Sequence, residues 1–332
     1  MQLKGLKVLV TGGAGFVGSH IVDDLKRSGA SVRVFDNFSS GHRENLAASL
    51  SGIEIMEGDI LDAPSLMKAS KGMDLICHQA AQLEIMRCLE TPSQDLRSNT
   101  EGTLNVLEAA RRNGISKVVY ASSACVYGQA AYTPQDEAHP TVPNWPYGVS
   151  KLATEHYARL YHEYYGIKTI GLRYSIVYGP HEWFGRVLTA YLKRALEKKP
   201  PVVWGGLAER DFIFVGDVVN AHRLCVENDA LGCEVFNVST GIATTIRQLA
   251  ELVCRQFDLG HPVDEAVEPG QASKLVAGRI RLPGELKQMV LSPQKAKKML
   301  GWSAQVSLAD GLRSEYQWLE CGGAARWQTM HY

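Results

Sequence analysis

Tyr147 and Lys151 stand four residues apart in Tyr-Gly-Val-Ser-Lys, a spacing that puts both on one face of a helix, one turn apart. An ammonium beside a phenol favours the phenolate, so the pair can act as a general base toward a hydroxyl proton near neutral pH. Upstream, a β-branched run ends in Ser122-Ser123-Ala124-Cys125-Val126-Tyr127-Gly128, and a serine at such a strand end can orient the oxygen that loses the proton. At the N-terminus, TGGAGFVGS spaces Gly12, Gly15 and Gly18 as Gly-x-x-Gly-x-x-Gly. Glycine is needed there because the backbone must turn tightly and let a pyrophosphate approach the N–H groups of a following helix. Asp36 closes the next strand eighteen residues beyond Gly18. A carboxylate at that point accepts hydrogen bonds from adenosine ribose hydroxyls and repels a 2′-phosphate. No basic residue follows within five positions, so NAD is expected over NADP. Tyr-x-x-x-Lys alone is common in helices; its combination with the glycine loop, Asp36 and the serine-bearing strand end is specific.

These groups need a scaffold, and the first half of the chain alternates short β-branched runs with helical periodicity. Strands are predicted over 7–10, 31–35, 53–56, 75–78, 117–121 and 169–173, and helices over 17–27, 63–69, 99–112 and 148–164. Such alternation implies an α/β fold, a doubly wound parallel Rossmann sheet with helices on both faces. After residue 173 the alternation loosens, and helices are predicted over 187–197, 218–226, 246–255, 293–300 and 308–318 between Pro- and Gly-bearing loops. The expected organisation is a Rossmann domain over 1–174 carrying the catalytic residues, and a smaller, mainly substrate-binding α/β lobe over 175–332. Some segments of that lobe are expected to pack back on the first domain.

Composition narrows the partners. The chain has 332 residues, 45% hydrophobic, with a formal net charge of zero, which offers no electrostatic reason to expect nucleic acid or an anionic membrane. Its seven cysteines are scattered and never form Cys-x-x-Cys, which suits a reduced, cytoplasmic chain better than a disulfide framework or a zinc site. The first apolar strand begins almost at once, so neither a signal peptide nor a membrane span is expected, and no metal site is expected either.

The motifs resemble those of the extended short-chain dehydrogenase/reductase family, of the nucleotide-sugar epimerase and dehydratase type. TGGAGFVGS, DNFSSG, HQAA, SNTEGTLNVLEAAR, ASSACVYG and YGVSK carry the resemblance in the first half, and RYSIVYGP, RDFIFVGDV, FNVSTG and RLPGEL in the second. The resemblance implies catalytic roles for Ser123, Tyr147 and Lys151, with Lys151 also holding the nicotinamide ribose. It implies a tightly bound NAD against Gly12, Gly15, Phe16, Val17, Asp36, Asn37, Ser39, Gly41, Ala80, Ala81, Ser122, Tyr174 and Val177, with Asn99 beneath. Asp59 either accepts from the adenine amino group beside Ile60 or caps the helix starting near Ala63.

Family dehydratases place acidic residues between the catalytic serine or threonine and the Val-Tyr-Gly. Here those positions are Ala124 and Cys125, so the resemblance points to 4-epimerases of the UDP-galactose type, acting on UDP-glucose/galactose or an N-acetyl derivative. Cys125 either transfers protons, as in related 3,5-epimerases, or is a small buried apolar residue. Substrate contacts are implied for Ser123, Cys125, Tyr147, Arg210, Arg281 and Met289, with Met289 where relatives limit bulk at the sugar's carbon 2. Two departures stand out: Ile176 replaces an Asn that contacts the diphosphate, and Arg281 lies one position off the family arginine. His181, Trp183 and Arg186 are candidate replacements for the lost donor. A deoxysugar reductase and a redox-sensing regulator are the alternatives, although regulators of this fold typically lose the Tyr or Lys retained here. The resemblance also implies a homodimer packed through the helices at 99–112 and 148–164.

Overall fold

The computed structural model describes residues 2–182, 186–276, 279–281, 283–323 and 325. Trp183 lies outside the described residues. Six strands follow the sequence expectation closely: β1 (Lys7–Thr11), β2 (Ser31–Asp36), β3 (Ile53–Glu57), β4 (Leu75–His78), β5 (Lys117–Ser123) and β6 (Lys168–Tyr174). They alternate with α1 (Phe16–Arg27), α2 (Ala63–Ser70), α3 (Gly102–Arg112) and α4 (Pro146–Tyr165). A seventh strand, β7 (Cys233–Val238), was not expected. It pairs in parallel with β6, so the sheet runs β7-β6-β5-β4-β1-β2-β3. The order reverses between β1 and β4, the place where a ligand crevice forms above the strand ends.

Successive side chains on a strand point to opposite faces, which sorts the core into two layers. Val8 and Val10 meet Ile21, Val22 and Leu25 of α1 on one face, while Leu9 meets Leu66 of α2 and Val106 and Leu107 of α3 on the other. A separate core around Leu192, Phe212, Leu249 and Leu312 is built by α5 (Val187–Leu196), α7 (Ile246–Phe257) and α9 (Leu308–Glu320). The remaining elements of the second half, α6 (Val215–Glu227) and α8 (Gln294–Leu300), pack instead on the seven-stranded sheet beside α1. Substrate-lobe and sheet-covering segments are therefore interleaved after residue 174.

A buried lysine shows how α6 is docked. Lys117 is fully buried, and its ammonium donates to the carbonyls of Cys225, Val226 and Asn228 at 2.9–3.1 Å. Three donors meet carbonyls at the end of a helix, where the macrodipole favours a cation.

A second buried network fixes α4, the helix that carries Tyr147 and Lys151. Arg173 of β6 donates to both oxygens of Glu155 at 2.9 and 2.6 Å, and to Tyr127, whose hydroxyl donates to Asn237 of β7. Both members of the ion pair are almost wholly buried, so losing either would leave an uncompensated charge.

Candidate active site

One cavity of about 1200 Å³ crosses the strand ends, from the glycine loop to the second-half lobe. Gly12 closes the turn after β1 with a φ of +69°, and a Cβ there would lie 2.5 Å from the Ala80 nitrogen. At Gly18 a Cβ would lie 2.0 Å from the Gly12 carbonyl, so the loop can lie flat on the start of α1 only without side chains. Gly12, Gly15, Phe16 and Val17 all line the cavity.

Asp36 braces this loop as well as facing the cavity. Its Oδ2 accepts from the Ala14 N–H at 2.9 Å and its Oδ1 from the Phe38 N–H at 2.8 Å. Burial pushes the carboxyl up, and the two main-chain donors oppose that shift. Asp36→Asn would set an amide N–H₂ against one of those donors. The variant should bind NADH at least about tenfold more weakly and lose discrimination against NADPH. Fluorescence titration of cofactor-stripped protein reads both affinities; unchanged values would refute the role.

Asn37, Ser39, Gly41, Asp59, Ile60, Ala80 and Ala81 line the same end. Asp59 does not cap α2: it accepts from the Asn37 side chain at 2.8 Å and from the Leu61 N–H at 2.8 Å, and Asp62 is the N-cap instead. Asn99 is buried and does not line the cavity. It sits in a π-helical turn (Leu96–Glu101) leading into α3, where its side chain clamps both the N–H and the carbonyl of Gln82 at 2.8 Å. Among the described residues the side-chain nitrogens of Gln79 and Gln82 are buried at this wall without a hydrogen-bond partner. Two such donors beside the glycine loop and the Asp36 carboxylate fit a dinucleotide.

Ser123, Tyr147 and Lys151 meet in the middle of the cavity with Tyr174 and Val177. Tyr147 and Ser123 line the cavity together, and the Ser123 hydroxyl accepts from the Cys125 N–H at 3.1 Å. The Lys151 ammonium donates to the Ala121 carbonyl at 3.0 Å and lies 5.8 Å from the Tyr147 ring centre. Burial brings this ammonium down to about 8, against the pull of Asp95 and Glu155. Burial likewise pushes the Tyr147 phenol up, with Cys125 adding to the shift and Ser123 opposing it. In the chain itself burial outweighs the pull of Arg186, the cation that lowers the phenol. Ser122 lines the cavity too, yet its hydroxyl donates to Glu155 at 2.5 Å.

Cys125 faces the cavity as a buried thiol, and burial pushes it up. That environment opposes the thiolate needed for proton transfer and favours the apolar reading. Its neighbours Ala124, Trp145, Leu286 and Met289 form one apolar cluster with it, against which Tyr147 and Ile176 pack.

At the far end, the two-residue strands Glu209–Arg210 and Gln288–Met289 pair in parallel, which sets Met289 beside Arg210. Arg281 reaches the cavity despite its shifted position: it donates to Glu285 at 3.0 Å and to the Val267 carbonyl at 2.6 Å. Glu285 also approaches Arg210 at 3.6 Å and so bridges two arginines. The sequence reading did not single out Glu285, although it lies inside the RLPGEL motif; its two partners are brought together only by the fold. Arg186 lines the cavity, whereas His181 does not. His181 stacks on His20 at 4.7 Å between ring centres and shares a hydrogen bond with Ser19 at 2.9 Å, which makes it a strut to α1 rather than a substrate contact. Among the described residues no group of metal-ligating side chains forms, and no helix is long and apolar enough to cross a membrane.

Residues 8–239 match the NAD dependent epimerase/dehydratase family. The chain belongs to that family. Its cofactor is NAD, and the glycine loop and Asp36 are the residues that fit it. This epimerase-family chain is 34% identical over 94% of its length to a putative UDP-glucose 4-epimerase of Methanocaldococcus jannaschii, covering 98% of that protein. The solved structure of UDP-glucose 4-epimerase with UDP-glucose from Thermotoga maritima superposes with a TM-score of 0.86 at 33% identity, covering 95% of this chain and 99% of that one. That of Thermus thermophilus UDP-glucose 4-epimerase complexed with NAD gives 0.84 at 33% identity, over 96% and 100%.

Proposed function

We propose that this chain is a UDP-hexose 4-epimerase that works through a transient 4-keto sugar, with glucose/galactose or their N-acetyl derivatives as the hexose. The family covers dehydratases as well as epimerases. What separates them here is the wall beside Ser123 and Tyr147: Ala124 and Cys125 stand where a dehydratase needs a carboxyl group to move a second proton.

NAD, when bound, supplies reversible hydride acceptance, which is the chemistry that turns a sugar hydroxyl into a ketone and back, and its ring adds positive charge near Tyr147. Tyr147 takes the proton of the 4-hydroxyl at its phenolate oxygen and later returns it. Ser123 orients that sugar oxygen from the strand end beside Tyr147. Lys151 holds the nicotinamide ribose and supports the phenolate. Arg210 and Arg281 offer cationic contacts to the diphosphate, in competition with Glu285. Because one base serves both directions, the cofactor stays tightly bound through the cycle and the keto sugar turns over inside the cavity.

Incubation with UDP-, GDP-, CDP- and dTDP-sugars followed by proton NMR tests this. Interconversion of UDP-glucose and UDP-galactose, or of the N-acetyl pair, is expected without added NAD. Loss of water from the sugar, or a demand for NADPH at every turnover, would replace the reading with a dehydratase or a reductase.

Two further readings belong with it. Exposed Val149, Tyr157 and Tyr164 on α4 support homodimer formation through that helix. Free cysteines throughout the described chain support a cytoplasmic setting.

A further inference from the structure

Successive side chains of β5 point to opposite faces of the sheet, so the neighbours Ser122 and Ser123 serve different ends. Ser122 borders the cavity beside Ser123, yet its hydroxyl donates to Glu155 Oε1 at 2.5 Å. A hydroxyl carries one proton, so Ser122 has none left to donate to a ribose or a diphosphate. Tyr147, Lys151 and Glu155 follow at four-residue intervals and lie along one stripe of α4. Two links tie that stripe to consecutive residues of β5: the Lys151 ammonium donates to the Ala121 carbonyl, and Ser122 donates to Glu155.

The same carboxylate is fixed from β6 as well. Arg173 donates through Nε and Nη2 to the two oxygens of Glu155, and through Nη1 to the Tyr127 hydroxyl at 2.8 Å. Tyr127 in turn donates to Asn237 of β7 at 2.7 Å. All of these side chains are buried, where charge-assisted bonds are short and strong. Ser122 and Tyr127 flank the turn that carries Ser123. One ion pair therefore grips that turn at both ends, and α4, the helix bearing Tyr147, supplies the Glu155 half of the pair.

We propose that the Glu155–Arg173 pair is a clamp that sets Ser123 against Tyr147, with Ser122 and Tyr127 as its two grips. Both are positioning residues, and Ser122 is not a ligand of the cofactor. Removing either hydroxyl lets the turn drift against α4 while leaving Ser123, Tyr147 and Lys151 themselves intact. Glu155 keeps Arg173 in both cases, so no buried charge is left without its partner. Tyr127 does not border the cavity, so its loss cannot act through a missing contact to cofactor or sugar.

The kinetic arm of the test rests on the UDP-hexose reading; the cofactor and exchange arms do not. Ser122→Ala and Tyr127→Phe should each lower kcat, counted per bound NAD, by about tenfold with KM unchanged, a smaller misplacement than the 1 Å that costs about 10²-fold. Counting per bound NAD removes any loss that comes only from unfolded protein. Ser122→Thr keeps the hydroxyl and should stay within about threefold of the wild type. A folded Ser122→Thr as slow as Ser122→Ala, or wild-type kcat in Ser122→Ala, would overturn the clamp, whether or not Tyr127→Phe folds. Fluorescence titration of cofactor-stripped Ser122→Ala with NADH should give an affinity within about threefold of the wild type; a larger loss would make Ser122 a cofactor ligand and overturn its assignment. Hydrogen exchange followed by mass spectrometry should show the amides of residues 147–155 opening about tenfold more readily in Ser122→Ala. Unchanged exchange there would show that the grip holds nothing. Should the wild type convert no UDP-hexose at all, the functional reading fails while the NADH titration and the exchange rates still decide on the clamp.

Discussion

Tyr147→Phe should lower turnover about a thousandfold while leaving the cofactor in place. The substitution removes only the phenolic oxygen; the ring keeps its packing against Ala124, Cys125, Trp145 and Met289, so the cavity wall survives. What disappears is the group that accepts the sugar proton. General base catalysis contributes about 10²–10⁴-fold, and Ala124 and Cys125 offer no second carboxyl group at that wall, which places the loss toward the upper part of this range. The electrostatics add a condition. Burial raises the Tyr147 phenol, so its use as a base requires cations close by: Arg186 already lowers it, and Lys151 and the oxidised nicotinamide ring, when bound, would add to that pull. The rate of UDP-hexose interconversion and the absorbance of cofactor released on denaturation measure the two halves separately. Retention of more than about a tenth of wild-type turnover would remove Tyr147 from the role of base.

Gly148→Ala is expected to cost about a hundredfold in kcat without touching any reacting atom. A Cβ at Gly148 would stand 2.3 Å from the Cys125 carbonyl oxygen and 2.8 Å from the Pro143 side chain. The first of these is backbone and cannot rotate away, so α4 must back off by about 1 Å to restore ordinary contact. That shift carries the adjacent Tyr147 away from Ser123, which is anchored on the end of β5. Misplacement on this scale typically costs about 10²-fold. NAD content should remain near normal, because the glycine loop and Asp36 lie on other elements. Kinetics paired with thermal unfolding checks the outcome: a folded, NAD-loaded variant with unchanged kcat would show that the close approach of helix and strand end is not needed.

Both predictions draw on residues that were legible in the linear sequence, and the reason is physical. The glycine spacing, Asp36 and Tyr-x-x-x-Lys are short-range patterns whose geometry is set by a single turn, strand end or helix. The short β-branched runs and the helical period of the segments between them likewise declare six strands and four helices of the parallel sheet without reference to distant chain. NAD followed from the same local features, and the family match agrees with it.

Tertiary structure decided what depends on distant segments meeting. β7 was hidden because it lies at the sheet edge after a long excursion, with a half-exposed first half that weakens its apolar signature. The engagement of Ser122 by Glu155, and the role of Asp62 rather than Asp59 at the start of α2, are choices among neighbours that a sequence pattern leaves open. Arg281 recovers a place in the cavity because its loop is tied by Glu285 and Val267, which no alignment of positions foretells. Burial raises the Tyr147 phenol, since desolvation is a property of the packed surroundings and not of the residue beside it. The sequence thus determined the cofactor loop, the Tyr–Lys spacing and most of the sheet, through rules of local geometry; only the packed chain decided the protonation environment and the shape of the sugar end, because both are sums over residues far apart in sequence.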